Sequence, residues 1–157
     1  MGIVVRKAKR SERKTLTAIA VNSKAYWGYS SEFMDSCRDE LEVSEEKILS
    51  ARFSYFAAEL SDRLIGFYAL ERHSDDEVEL EALFVEPDSI GKGIGKRLIE
   101  HAKKEAKDAG FRELVIQGDP NTQVFYLKAG AEHVGEKESG SVAGRMLPMF
   151  RIYLKED

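Results

Sequence analysis

The stretch EPDSIGKGIGKRLIEHAKK, Glu86 to Lys104, places three glycines two apart, Gly91, Gly93 and Gly95, with Lys92, Lys96 and Arg97 among and after them. Residues without a Cβ let a ligand approach the backbone closely. If a helix begins here, its first N–H groups have no intrahelical acceptor and its macrodipole favours an anion. With the lysines at the same end, the chemistry this stretch offers is the binding of a pyrophosphate. Spacing excludes two phosphate motifs. A P-loop counted from Gly91 would need glycine where Lys96 stands, and the dinucleotide fingerprint would need it at Lys96 or Leu98.

Other reactive residue types are sparse. His73, His101 and His133 are scattered along the chain at no metal-ligand spacing, so no metal is expected. The lone cysteine, Cys37, can form no internal disulfide, which suits a reducing compartment, and it reads as a small core residue. A net charge of -4 and the absence of an aromatic-basic strand motif argue against a nucleic-acid partner. No apolar run approaches the roughly 20 residues that span a bilayer. The apolar stretch of MGIVVRKAKR is too short for a signal peptide, and Arg6 stands where a myristoylation motif wants Ser or Thr. A soluble cytoplasmic protein, with no membrane partner, is expected.

The elements that must position the glycine loop follow from periodicity. At 157 residues with 43% apolar content and no repeat or linker, the chain reads as one domain. Ile3–Ala8 reads as a strand. Ser11 is placed to cap a helix from Glu12, Ser31 a second helix through EFMDSCRDEL, and Ser44 a short third. RFSYFAAEL, LIGFYALER and EVELEALFVE then alternate as strands joined by hairpin-length connections, an antiparallel meander that Pro87 ends. Ile94, Leu98, Ala102, Ala106 and Ala109 share one face of a helix over about 93–109, with Gly110 at its C-terminal cap. FRELVIQG follows through that helix and so should lie parallel to the strand before it. A short helix in NTQVFYLKA ends at Gly130, and two strands close the chain near Glu132–Lys137 and Pro148–Leu154. The class is mixed α/β (α+β).

In that setting, IGKGIG, residues 90 to 95, resembles the acetyl-CoA-binding motif of the GNAT family of N-acetyltransferases, Gln/Arg-x-x-Gly-x-Gly/Ala. Gly93 and Gly95 match; Ile90 stands where Gln or Arg is usual. LEALFVEP before the loop and DPNTQVFYLKAGAEHVGE after it are similar to the flanking segments of the same family, and the order of elements from Ile3 to Leu154 agrees. The resemblance implies a central, mostly antiparallel twisted sheet of about six to seven strands with helices on both faces. It also implies transfer of an acetyl group from acetyl-CoA to a primary amine.

The same resemblance implies roles for individual residues. Ile90, Gly91, Lys92, Gly93, Ile94, Gly95 and Lys96 would form the pyrophosphate cradle, with Lys92 or Lys96 supplying charge. The backbone of Leu83, Phe84 and Val85 would pair with the pantetheine arm. Asn121 would hold that arm or cap its helix. Tyr126 would be the general acid to the departing thiolate, since a phenol with an ordinary pKa near 10 keeps its proton at neutral pH. Glu81, which shares a strand face with Glu79, would be the base. Trp27, Tyr29 and Glu81, with Arg145 of the last inter-strand loop, would border the acceptor, a small-molecule amine. A CoA-binding module without turnover is the alternative, and the sequence leaves monomer and homodimer both open.

Overall fold

The structure is a computed structural model that describes residues 2–154. Seven strands form one sheet in the order β1-β2-β3-β4-β5-β7-β6, with β1 Val4–Lys7, β2 Phe53–Leu60, β3 Arg63–Arg72, β4 Glu77–Val85, β5 Glu113–Gln117, β6 Glu132–Glu138 and β7 Met146–Tyr153. Every neighbouring pair is antiparallel except β4 and β5, which run parallel. Their connection carries helix α4, Ile94–Asp108, as a parallel crossover requires.

Helices cover both faces. On one side α4 lays Ile94, Leu98, Ile99, Ala102 and Ala106 against Tyr68, Leu70, Val78, Leu80, Leu114, Ile116 and Phe150 of the sheet. Gly110, at φ +95°, ends that helix in the left-handed conformation expected of the residue after a C-terminal cap. On the other side α1 (Arg13–Ala25), α2 (Ser31–Leu41) and α3 (Glu45–Leu49) bury Leu16, Ile19, Cys37 and Leu41 against Tyr55, Ala57, Phe67 and Ala69. A short α5, Gln123–Lys128, closes the first face beside α4.

Two helix starts differ from the sequence reading. Ser11 caps nothing: Arg10–Glu12 form a 3-10 turn, and the Glu12 carboxylate reaches back to accept the Lys9 N–H at 2.7 Å. A carboxylate held by Arg6 at 2.7 Å competes well with a neutral hydroxyl for that N–H. At α2 the cap is Ser30 rather than Ser31, its hydroxyl accepting from the Phe33 N–H at 3.1 Å. Ser44 caps α3 as expected.

Between β3 and β4, Ala69 faces Ala82 but Leu70 faces Leu80, so Glu81 is an extra residue, a β-bulge. The bulge inverts the alternation: Val78 and Leu80 face α4 before it, and Leu83 and Val85 do so after it. Beyond Leu80↔Ile116, β4 and β5 no longer pair. Residues 82–85 therefore pair with β3 on one side and leave their other edge open.

Leu98 is fully buried under this sheet. Leu98→Ala is expected to lower the unfolding free energy by about 3 kcal/mol, read by urea denaturation with an unchanged slope. A loss below about 1 kcal/mol would mean that α4 does not carry the core.

Candidate active site

The glycine loop runs from β4 to α4 through a 3-10 turn at Pro87–Ser89. Gly91 at φ +87° and Gly93 at φ +78° take left-handed backbone, where a side chain would be strained. Gly93 is the N-terminal cap residue of α4 and offers no side-chain acceptor, so the N–H groups of Gly93, Ile94, Gly95 and Lys96 have no intrahelical partner. Gly95 has a different reason to be small. A Cβ there would lie 3.1 Å from Phe125 Cε1 of α5. The first turn of α4 and the first turn of α5 thus meet across a glycine, which sets the width of the cleft.

A cavity of about 430 Å³ fills that cleft. Its walls are Leu83, Phe84 and Val85 of the open strand edge, the loop residues Ile90, Gly91, Gly93, Ile94, Gly95 and Lys96, and Asn121, Phe125 and Tyr126. Of the two lysines the sequence offers for charge, Lys96 lines it, whereas Lys92 is exposed on the loop outside it. Trp27, at the end of α1, lines this cavity and not its neighbour, so the structure sets it beside the glycine loop rather than beside Glu81.

The neighbour is a cavity of about 230 Å³ on the α1–α3 side of the same splay. Glu79 and Glu81 both line it, with Tyr55 and Phe67 of the sheet and Glu40, Glu42 and Val43 at the end of α2. The two cavities share Lys24, Leu83, Phe84, Asp119, Thr122 and Tyr126. Their junction lies where β4 and β5 separate.

Tyr126 stands at that junction, 6% exposed. Its ring packs on Phe125 and Phe150 at centroid distances of 5.1 and 5.5 Å. Among the described residues its hydroxyl has no hydrogen-bond partner. Burial, and secondarily the charge of Asp119, pushes its pKa above the ordinary phenol value, so it holds its proton.

Glu81 and Glu79 are both shifted above the ordinary carboxylate range, in each case chiefly by burial. Lys47 of α3 offsets this at Glu81 from 3.7 Å, and His73 does so at Glu79 through Nε2 at 2.9 Å. His73 is less isolated than its sequence position suggests. The β3–β4 hairpin folds it among Glu71, Glu77 and Glu79, and ligand-type atoms of Glu71, His73 and Glu79 lie within 4.8 Å of one another. Arg52 already pairs with Glu71 at 2.8 Å.

The residue the sequence reading passed over is Asp119, the N-terminal cap of the turn before α5. One carboxylate oxygen accepts from the Asn121 backbone N–H at 2.9 Å and from its side-chain amide at 2.8 Å. The other accepts from the Tyr29 hydroxyl at 2.8 Å and from Arg145 at 3.1 Å, with Lys24 at 3.5 Å. Burial pushes the Asp119 carboxyl up, but these donors outweigh it and hold it below the ordinary range; the Tyr29 phenol is pushed up to about 12 by its own burial and by Asp119. Arg145 also lies over the Tyr29 and Phe33 rings, at 5.3 and 4.8 Å. So Tyr29, Asn121 and Arg145 are brought together, but onto Asp119 rather than toward free space. The guanidinium offered by the sequence as a grip for an acceptor carboxylate is already paired. The signal that could have flagged Asp119 is an Asp placed just ahead of the segment carrying Tyr126, where it can cap it.

An open strand edge, a helix start without a capping side chain and a glycine-lined cleft between them are what a CoA arm and pyrophosphate require. The sequence profile of the Acetyltransferase (GNAT) family matches residues 20–131. The chain belongs to that family. It is accordingly an acetyl-CoA-dependent N-acetyltransferase with a seven-stranded GNAT fold. It is 29% identical over 153 residues to the peptidyl-lysine N-acetyltransferase YjaB of Salmonella typhimurium, covering 97% of this chain and 98% of that one. It is 28% identical over 150 residues to the 5-NmdU N-acetyltransferase of Pseudomonas phage PaMx11, covering 95% and 98%. Among solved structures, the PaiA N-acetyltransferase of Thermoplasma acidophilum in complex with coenzyme A superposes with a TM-score of 0.81 at 26% identity, covering 98% of this chain and 99% of that one.

The raised carboxylates of this GNAT site yield a signed prediction. A carboxyl whose folded pKa lies above its unfolded value favours folding while protonated, and that contribution is lost as pH rises from about 4 through the raised value. Glu81→Gln, which keeps the shape without the charge, is therefore expected to raise the thermal midpoint near pH 7, by about 2–4 °C per kcal/mol recovered, and to leave it unchanged near pH 4. Calorimetric scans at the two pH values check this; a variant less stable at pH ~7 would show that Lys47 fully compensates the buried charge.

Proposed function

We propose that this chain acetylates a primary amine of a small-molecule acceptor by direct attack on acetyl-CoA, with the thioester at the junction of the two cavities. The observation that carries the reading is Tyr126, buried, protonated and without a hydrogen-bond partner among the described residues, at the point both cavities share. In this reading the pantetheine arm pairs with the open edge of Leu83–Val85. The diphosphate rests on the N–H groups of residues 91 to 96, and Lys96 lies near it. A cytoplasmic setting, where CoA thioesters are available and the lone buried Cys37 stays reduced, fits this chemistry.

The acceptor enters from the carboxylate-lined side as an ammonium and must lose a proton to become a nucleophile. Glu81, its pKa raised by burial, is placed to take that proton. The amine nitrogen then bonds to the thioester carbon; as the tetrahedral adduct collapses, its positively charged nitrogen loses its second proton to solvent and the C–S bond breaks. Sulfur leaves with the electron pair and receives a proton from Tyr126. A phenol held above its ordinary pKa does not release its proton ahead of need; it donates to the sulfur as charge develops there, which is where a hydrogen bond accelerates the step. Solvent returns the Tyr126 proton, and Glu81 gives up the one it took. That the Tyr126 hydroxyl is spent on no structural hydrogen bond favours turnover over a CoA-binding module without chemistry.

Tyr126→Phe keeps the ring between Phe125 and Phe150 and removes only the donor. It is expected to lower kcat by about 10²-fold or more while CoA affinity by calorimetry changes less than about twofold. An unchanged kcat would remove the acid assignment.

A further inference from the structure

We infer that the acceptor is an aliphatic diamine or oligoamine, a chain carrying a second ammonium a few methylenes from the amine that is acetylated. The inference rests on the transferase reading above and narrows its substrate.

The charges lining the acceptor-side cavity sort into matched and unmatched. Asp119 is satisfied by Lys24 and Arg145, and Glu81 faces Lys47. Glu40 and Glu42 have no cationic partner among the described residues; Glu40 accepts only the Ser141 hydroxyl, at 3.0 Å. Both are exposed at the end of α2, so they form a rim, whereas Glu79 and Glu81 are half-buried on β4.

Leu41, Val43, Tyr55 and Phe67 also line the cavity, an apolar wall alongside the two carboxylate pairs. Carboxylates at two depths with an apolar wall match an alkyl chain with an ammonium at each end. The inner ammonium gives its proton to Glu81 and reacts; the outer one stays charged and neutralises the rim. A mouth lined by unmatched like charges also concentrates cations before binding. An acceptor bearing a carboxylate finds no such match, because the two cations lining the cavity are held by Asp119. A lysine side chain of a protein could present its ε-amine, but the neutral amides behind it would leave Glu40 and Glu42 unmatched.

Thiol release from acetyl-CoA by the full chain tests this. Putrescine is compared with butylamine, cadaverine with pentylamine, and both with a blocked lysine peptide. The expected kcat/KM for each diamine exceeds that of its monoamine by about tenfold at low salt, and the preference shrinks as salt screens the exposed rim. In the double variant Glu40→Gln/Glu42→Gln, which alters two exposed positions, the preference falls to about one while CoA affinity by calorimetry is kept. Equal use of monoamine and diamine by the native chain, or a preference that survives the double variant, overturns the inference and leaves the transferase reading standing. A peptide preferred over both diamines points to a protein acceptor and overturns it as well. CoA binding without thiol release from any amine overturns both.

Discussion

The structure depends on one broken pairing. Strands β4 and β5 are bonded from Glu77↔Glu113 to Leu80↔Ile116 and then part, at the point where Glu81 bulges out of register with β3. Peptide groups at the middle of a sheet are ordinarily satisfied by neighbours on both sides, and leaving them open is costly unless something else pairs with them. Here the open edge of residues 81–85 faces two cavities that meet across it. The bulge does a second job. It sets Glu81 and Ala82 successively on the α1–α3 side, so that a carboxylate is pushed toward the acceptor cavity while Leu83 and Val85 still pack toward α4. A regular strand of the same sequence could not do both, because a one-residue shift reverses every side chain.

What holds the parted strands at a fixed separation is polar on one side and apolar on the other. On the acceptor side Asp119 gathers Lys24 of α1, Tyr29 of the α1–α2 loop, Arg145 of the β6–β7 loop and its own neighbour Asn121. Two regions remote in sequence, residues 24–29 and the β6–β7 loop, are tied to one half-buried carboxylate, and removing that carboxylate would leave two cations and a phenol without their partner. On the cofactor side the contact is Gly95 against Phe125, close enough that a methyl group would press on the ring. Tyr126 is fixed between these two constraints, its ring against Phe125 and Phe150 and its hydroxyl left over.

The sequence made much of this legible. The helix face of Ile94, Leu98, Ala102 and Ala106, the three-strand meander and the parallel crossover all stand as periodicity implied, because each is set by local alternation and a glycine or proline at its end. The glycine-lined cavity was legible for the same reason, since Gly91, Gly93 and Gly95 are local. The acceptor side was not. Tyr29, Asn121 and Arg145 are polar residues of loops, and nothing in their own neighbourhoods says that all three meet on Asp119. Nor does alternation reveal a bulge: Glu79 and Glu81 read as an ordinary period-two pair, and only the register with β3 shows that Glu81 is the extra residue. Long-range polar clusters and register faults are set by tertiary fit, which a single sequence carries only implicitly.

If the chain works as proposed, the parted strand edge receives the cofactor arm and brings the thioester to Tyr126. A crystal structure of the complex with acetyl-CoA tests this most directly. The expected result is the arm bonded to the backbone of residues 83–85, the diphosphate on the N–H groups of residues 91–96, and the thioester sulfur within hydrogen-bond reach of the Tyr126 hydroxyl. An arm that leaves the edge of residues 83–85 unpaired, or a thioester on the far side of Phe125 from Tyr126, would contradict it.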